Sequence, residues 1–331
     1  MKTNSPPFRL EALPYPIELH RHLDVSLRVS TLLELAIERG LVTSGTSLEL
    51  FSNEFLLKTP VKNLTDCLSK FELYQKVLDR FDVLERVALE AVEDCVREGL
   101  GGVEFRFSPT FISQYSRIPW LEILDGFESG LNKAKLKFPK FKVGLIVIAS
   151  RDAGMSGVEK TIDFFLQHPT HFIGFDLAGP ESGFPPRQYR ELFKPLIEAN
   201  ANITIHAGEG ESPDNIWGAI EDLGAKRIGH GISIITDSAL IREAIKRNIC
   251  FEMCPTSNYI TACVIELSKH PIAPLLRQGL AVTLNTDDPG IFGVTIQDEI
   301  RVSQSAIGLS TREITKCFEN ANAHSFLPTV S

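Results

Sequence analysis

Apolar positions in this chain alternate between two periods. Short runs with strand-like pattern are IELHRHL (17–23), GVEFRFS (102–108), KVGLIVIA (142–149), FIGFDLAG (172–179), NITIHAGE (202–209), RIGHGI (227–232), ICFEMCP (249–255) and AVTLNTDD (281–288). Between them the period lengthens to that of helices. Leu84, Val87, Ala88, Ala91, Val92 and Cys95 form one apolar helical stripe. Thr31 with Glu34 and Asp82 with Glu85 have the spacing of capping boxes, and Gly40 closes the first of these two helices. Ser212-Pro213 reads as an N-cap with proline in the first turn, and Ser310 with Glu313 opens the last long helix.

Eight strands separated by helices predict an α/β fold, a (β/α)8 TIM barrel. A doubly wound open sheet is the rival, disfavoured because no Gly-x-Gly-x-x-Gly follows a strand. The long segment 41–81 is a helical, amphipathic insertion between strands 1 and 2. Since it leaves the end of strand 1, it is expected to cover the barrel mouth. Residues 1–16 form a proline-rich lead-in, and no linker divides the chain, so residues 1–331 read as one domain.

Composition narrows the picture in three ways. At 43% hydrophobic and 23% charged over 331 residues, the chain can bury a core of barrel size. Its net charge of −8 makes a phosphate backbone an unfavourable partner, which argues against nucleic acid but not against a neutral small molecule. The cysteines Cys67, Cys95, Cys250, Cys254, Cys263 and Cys317 are scattered and set mostly in apolar runs, as free thiols of a reducing compartment would be. With no long apolar run and no apolar core in the lead-in, neither a membrane span nor a signal peptide is expected, and the cytoplasm is the expected location.

In a (β/α)8 barrel the chemistry gathers at the C-terminal ends of the strands. There this chain places His20, His22 and Asp24, then Asp176 and Gly179, His206 and Glu209, His230, and Asp287-Asp288. Strand alternation puts His20 and His22 on one face and turns Arg21 to the other. Three imidazoles and a carboxylate, His20, His22, His206 and Asp287, suit a zinc shell with a position left for water. His168, His171, His270 and His324 fall beside proline, in loops or in the last helix, and read as surface or capping residues. Asp176 reads as structural. Cys254-Pro255 has no second cysteine two residues on, so Cys254 reads as packing rather than as a zinc ligand.

ELHRHLD (18–24), VEFRFSP (103–109), DLAGPE (176–181), HAGE (206–209), RIGHGI (227–232), CPTSN (254–258) and NTDDP (285–289) occur in this order over nearly the whole chain. With these motifs the chain resembles the adenosine deaminase family of the metal-dependent amidohydrolase superfamily. The resemblance implies zinc-assisted hydrolytic deamination of adenosine or 2′-deoxyadenosine, with one Zn²⁺ per chain. It implies that His230 holds the attacking oxygen and that Asp287 accepts its proton. Glu209 would protonate the purine N1, the Gly179 N–H would meet N3, Asp288 would meet N7, and Asp24 would face the ribose 5′-hydroxyl. His22 would border the substrate as well as the ion. The implied partner is a small purine nucleoside, with no nucleic acid, membrane or obligate protein partner.

One position departs from the family pattern: Val25 stands where glycine usually follows His-x-His-Leu-Asp. A β-branched residue resists positive φ and occupies space. Adenosine with an apolar 5′ group therefore remains an alternative to adenosine, whereas the Asp24 carboxylate argues against AMP-like nucleotides and a ribose contact there argues against free adenine. Hydrolysis of amides or phosphotriesters by a two-metal relative would need a bridging lysine near the end of strand 4, and FIGFDLAGPE has none. A catalytically silent binding protein would be expected to lack some of the ligands and proton carriers, and all are present.

Overall fold

The computed structural model describes residues 8, 10, 13–61 and 64–328, with backbone alone for residues 64–69. Most of the lead-in, and the side chain of Cys67, lie outside the described residues. Eight strands appear where the pattern placed them: β1 Ile17–His22, β2 Gly102–Phe107, β3 Lys142–Ser150, β4 Gly174–Ala178, β5 Ile203–Ala207, β6 Arg227–His230, β7 Cys250–Met253 and β8 Ala281–Leu284. They form one parallel sheet in the order β1 to β8. The sheet closes just past the end of β8, where the Asp287 N–H donates to the His20 carbonyl (3.1 Å) and the His22 N–H to the Asp287 carbonyl (2.9 Å). The fold is a (β/α)8 barrel.

Strands covered on both faces should be apolar throughout or carry paired polar groups. Here β2, β4, β5, β6 and β7 are buried at every position. The helix Phe81–Arg97 buries the whole expected stripe from Leu84 to Cys95. Ser212 caps the helix Pro213–Glu221, and Ser310 with Glu313 forms a true capping box.

The other two box patterns are corrected by the structure. The first helix begins at Val29, so Thr31 lies inside it and donates its hydroxyl to Glu90 Oε2 (2.6 Å), while Glu34 pairs with Arg86. Asp82 lies in the first turn of its helix and pairs with Arg80, and Glu85 accepts from Ser129 and Lys133. Partners on other elements claim Thr31, Glu34 and Glu85, and Arg80, at the start of the same helix, claims Asp82. Gly40, at φ +68°, does end the first helix.

The 41–81 segment contains the helices Leu48–Phe55 and Leu64–Val77. Its backbone donates from Leu57 to the Ile291 carbonyl (3.0 Å) and from Val61 to the Ile260 carbonyl (2.9 Å). Both acceptors follow the C-terminal ends of β7 and β8. Cys95, Cys250, Cys254 and Cys317 are buried free thiols, and Cys263 is free and half-buried. Among the described residues, no helix is long and apolar enough to cross a membrane.

Glu299, on the helix Ile296–Val302 after β8, is fully buried. It accepts only a long bond from the Thr256 N–H (3.3 Å), and its Oε1 has no partner, so burial pushes its carboxyl up to about 8. Its contribution to stability is full below the ordinary value of 4.5 and is lost as pH rises through about 8. Glu299→Gln is therefore expected to match the wild type near pH 4.5 and to melt higher near pH 8.5, by at least about 2 °C. Melting curves at the two pH values check this; an advantage that shrinks as pH rises would contradict it.

Candidate active site

The buried side chains inside the barrel set the geometry of the site. Arg106 of β2 donates to Asp176 of β4 (2.8 Å), to Glu252 of β7 (2.7 Å) and to the Leu19 carbonyl of β1 (2.7 Å). Arg227 of β6 pairs with Glu104 of β2 (2.7 Å) and Glu252 (2.6 Å). The Arg106–Asp176, Arg106–Glu252 and Arg227–Glu104 pairs join strands that are not neighbours, so they span the barrel interior. Burial would raise the Glu252 carboxyl, but Arg106 and Arg227 hold it well below the usual carboxylate range. Asp176 is likewise held low against its burial by His206 and Arg106.

These two carboxylates meet the inner nitrogens of two histidines. His20 Nδ1 lies 2.8 Å from Glu252 Oε2, and His206 Nδ1 lies 3.1 Å from Asp176 Oδ1. An N–H directed to the carboxylate leaves the lone pair on Nε2, the tautomer a metal ligand needs. Burial pulls His206 down to about 3 and also lowers His20, so both rings are neutral.

Donor atoms of His20, His22, His206 and Asp287 all lie within 4.8 Å of one another. His20 Nε2 is 3.1 Å and His22 Nε2 is 3.2 Å from Asp287 Oδ1. Yet His20 Nε2 is buried without a hydrogen-bond partner. Four donor atoms converging on one point, with a buried His20 Nε2 left unpartnered, fit a metal ion. Gly229 makes room for the cluster: a Cβ there would stand 3.1 Å from His20 Cε1 and 3.2 Å from His206 Cγ. Asp287 and His230 hold left-handed backbone, at φ +65° and +57°, which non-glycine residues adopt at a cost.

Around this cluster stand the remaining residues singled out in the sequence. His230 Nε2 is 3.7 Å from Glu209 Oε2 and 3.8 Å from Asp287 Oδ2. Burial raises the Glu209 carboxyl, and Asp287 adds to this, so Glu209 keeps its proton to higher pH than a free glutamate. The two adjacent aspartates are pushed in opposite directions. Asp287 stays far below the usual range despite burial, held by His230, His20 and His22. Burial and the charges of Asp287, Asp24 and Glu209 push Asp288 well above it. Asp24 is buried and raised, and its Oδ1 has no partner.

Gly179 takes φ +87°, and a Cβ on it would stand 3.2 Å from Asp152 Oδ1. Arg21 turns away as expected, to Glu98 (2.9 Å) and Glu18 (3.3 Å). Val25 lies in a short 3-10 turn, outside the positive-φ region, and is buried in the apolar core, so the backbone strain raised by the missing glycine does not arise.

The sequence reading missed several residues that shape the site. Glu181, in the DLAGPE motif, accepts from the Gly208 (2.7 Å) and Glu209 (2.9 Å) N–H groups and so holds the loop that carries Glu209. Ser257 donates to Asp287 Oδ2 (2.7 Å). From the helix Leu64–Val77, buried Gln75 approaches Asp24 Oδ2 (3.5 Å), and Tyr74 is buried with an unpartnered hydroxyl. Asp176 orients a histidine of the cluster and is not merely structural. His270 is not a surface histidine: it is 2% exposed and bonds Asn258. His171 pairs with Glu128, while His168 and His324 are half-buried. The Cys254 thiol lies within 4.8 Å of donor atoms of His230 and Asp287, but burial pushes it well above its ordinary value.

Comparison with known proteins agrees with this arrangement. The adenosine deaminase family profile matches residues 16–331. An adenosine deaminase of Shigella flexneri serotype 5b is 36% identical over 310 residues, covering 94% of this chain and 93% of that protein. The solved adenine deaminase of Arthrobacter aurescens superposes with a TM-score of 0.86 at 24% identity, covering 95% of this chain and 94% of the other. The N6-methyl-AMP deaminase of Arabidopsis thaliana gives 0.79 at 25% identity, covering 96% and 93%. The profile match over almost the whole chain, joined to the barrel and its four-donor cluster, makes this chain an enzyme of the adenosine deaminase family.

Proposed function

We propose that this enzyme hydrolyses adenosine and 2′-deoxyadenosine to inosine and 2′-deoxyinosine with release of ammonia, using one zinc ion per chain. The observation that carries the reading is the four-donor cluster standing beside Glu209, a carboxyl that burial keeps protonated to higher pH than usual. Three nitrogens and one carboxylate oxygen suit zinc among the common divalent ions. His20, His22, His206 and Asp287 would hold it. When bound, such an ion supplies the Lewis acidity that lets water act as a nucleophile near neutral pH.

The chain's own groups supply the remaining chemistry. Glu209 delivers its proton to N1 of the purine, so that C6 becomes tetrahedral without negative charge building on the ring. His230 holds the attacking oxygen, and Asp287 takes the proton that oxygen loses and passes it to the C6 amine, so that the C6–N bond breaks and ammonia leaves. N7 offers only a lone pair, so its partner must donate; Asp288, whose carboxyl burial and neighbouring carboxyls push well above the usual range, can do so. The Gly179 N–H meets N3. Asp24 Oδ1, buried and without a partner, accepts the ribose 5′-hydroxyl, and His22 borders the sugar.

The 41–81 segment serves as a cover over the mouth, a role supported by its bonds to Ile260 and Ile291 and by Gln75 and Tyr74 entering beside the site. We read residues 1–331 as a single hydrolase barrel domain working in the cytoplasm.

A 5′-phosphate would face the buried carboxyl of Asp24, whose described hydrogen-bond partners, the Ser108 N–H and the Gln75 amide, include no lysine or arginine. The alternatives are a 5′-modified adenosine or another 6-aminopurine. Rates on adenosine, 2′-deoxyadenosine, adenine, AMP and a 5′-thioether adenosine separate them. Adenosine is expected to exceed AMP by roughly 10²-fold or more in kcat/KM. AMP or adenine as the best substrate would overturn the nucleoside reading.

Glu209→Gln is expected to keep its metal and lose at least ~10²-fold in kcat. Since Glu209 works protonated, kcat should be full below its raised pKa and fall as pH rises through it. Normal turnover by the glutamine variant would place proton delivery elsewhere. His206→Ala should lose both metal, measured by elemental analysis, and activity; retention of stoichiometric zinc would remove His206 from the ligand set.

A further inference from the structure

A line of buried hydrogen bonds runs from the backbone to the far side of His230. Asn258 lies on the helix Pro255–Ile260 after β7, and His270 stands just before the helix Ile272–Arg277. Asn258 is fully buried, and His230 and His270 are 1% and 2% exposed. The Ile272 N–H donates to His270 Nδ1 (3.2 Å), His270 Nε2 lies 3.1 Å from Asn258 Oδ1, and Asn258 Nδ2 lies 3.1 Å from His230 Nδ1.

The polarity of this line is decided at its backbone end. A backbone N–H can only donate, so His270 Nδ1 must accept and carry no proton. The neutral His270 ring then bears its proton on Nε2, and burial, which pulls its pKa down to about 3, keeps it neutral. That N–H needs an acceptor, which sets the Asn258 carbonyl toward His270. A flipped amide would face one N–H with another. The Asn258 N–H therefore points at His230 Nδ1.

We propose that Asn258 and His270 are positioning residues that fix the tautomer of His230, with its lone pair on Nδ1 and its proton on Nε2 facing Glu209 and Asp287. This rests on the reading of His230 as the residue that holds the attacking oxygen. A ring with N–H at Nε2 donates a hydrogen bond there and cannot accept a proton there. His230 thus steadies negative charge on the oxygen, and the proton released in the attack goes to Asp287. The Asp287 carboxylate, 3.8 Å from Nε2, favours the N–H on that side.

The test uses the zinc-loaded, ¹⁵N-histidine-labelled enzyme, with the His230 signals identified by their absence in His230→Gln. The wild type should show an unprotonated Nδ1 and a protonated Nε2. Asn258→Asp keeps the size but replaces the N–H with an acceptor. It should protonate Nδ1 and lower kcat by roughly 10²–10⁴-fold, with KM changed far less. His270→Phe removes the relay and should also lower kcat, whereas His270→Gln, which can still donate to Asn258, should recover most of the loss. The two His270 variants decide the matter if Asn258→Asp fails to fold or to hold zinc. A protonated Nδ1 in the wild type, or unchanged ¹⁵N signals in both Asn258→Asp and His270→Phe, would overturn the proposal. Should the wild type fail to deaminate adenosine yet show the expected ¹⁵N pattern, the substrate reading falls and the tautomer assignment stands.

Discussion

Arg106 is the residue on which the rest of the site depends. A guanidinium fully removed from water must be paired, and here its partners are the two carboxylates that face the histidines. Removing one member of such a buried set leaves an uncompensated charge, a loss of about 3–5 kcal/mol. The same pairing keeps Asp176 and Glu252 ionised, which in turn sets the imidazole tautomers. Stability and chemistry thus share one set of contacts. The barrel interior, which a purely structural protein would fill with branched apolar side chains, is given to an ionic frame for the four-donor cluster.

Outside that frame the electrostatics sort the carboxyls into two groups. Asp287 is surrounded by imidazoles and stays ionised; Asp288, one residue on, faces other carboxyls and keeps its proton. Burial pushes the Glu209 carboxyl up as well. Neighbours pushed apart in this way supply an acceptor and donors within one pocket at one pH. The left-handed backbone at His230 and Asp287 aims these side chains, and the surrounding hydrogen bonds hold it in place. Glu181 does the same for Glu209 by holding three consecutive N–H groups of its loop.

By itself the sequence determined the eight strands, their parallel alternation with helices and the cluster of His20, His22, His206 and Asp287. Those follow from local period and from the rule that barrel chemistry lies at strand ends, both of which a linear chain displays. The capping patterns at Thr31 and Asp82 failed because Glu90, Arg86 and Lys133 on other elements claim Thr31, Glu34 and Glu85, while Asp82 turns to Arg80 at the start of its own helix. Only the tertiary structure decided which buried charges meet: Arg106 with Asp176 and Glu252, His270 with Asn258, Gln75 with Asp24, Gly229 beneath two imidazoles. The partners in most of these contacts stand far apart along the chain and meet only when the sheet closes. A one-dimensional pattern tells which face a side chain takes, but not which group it finds there.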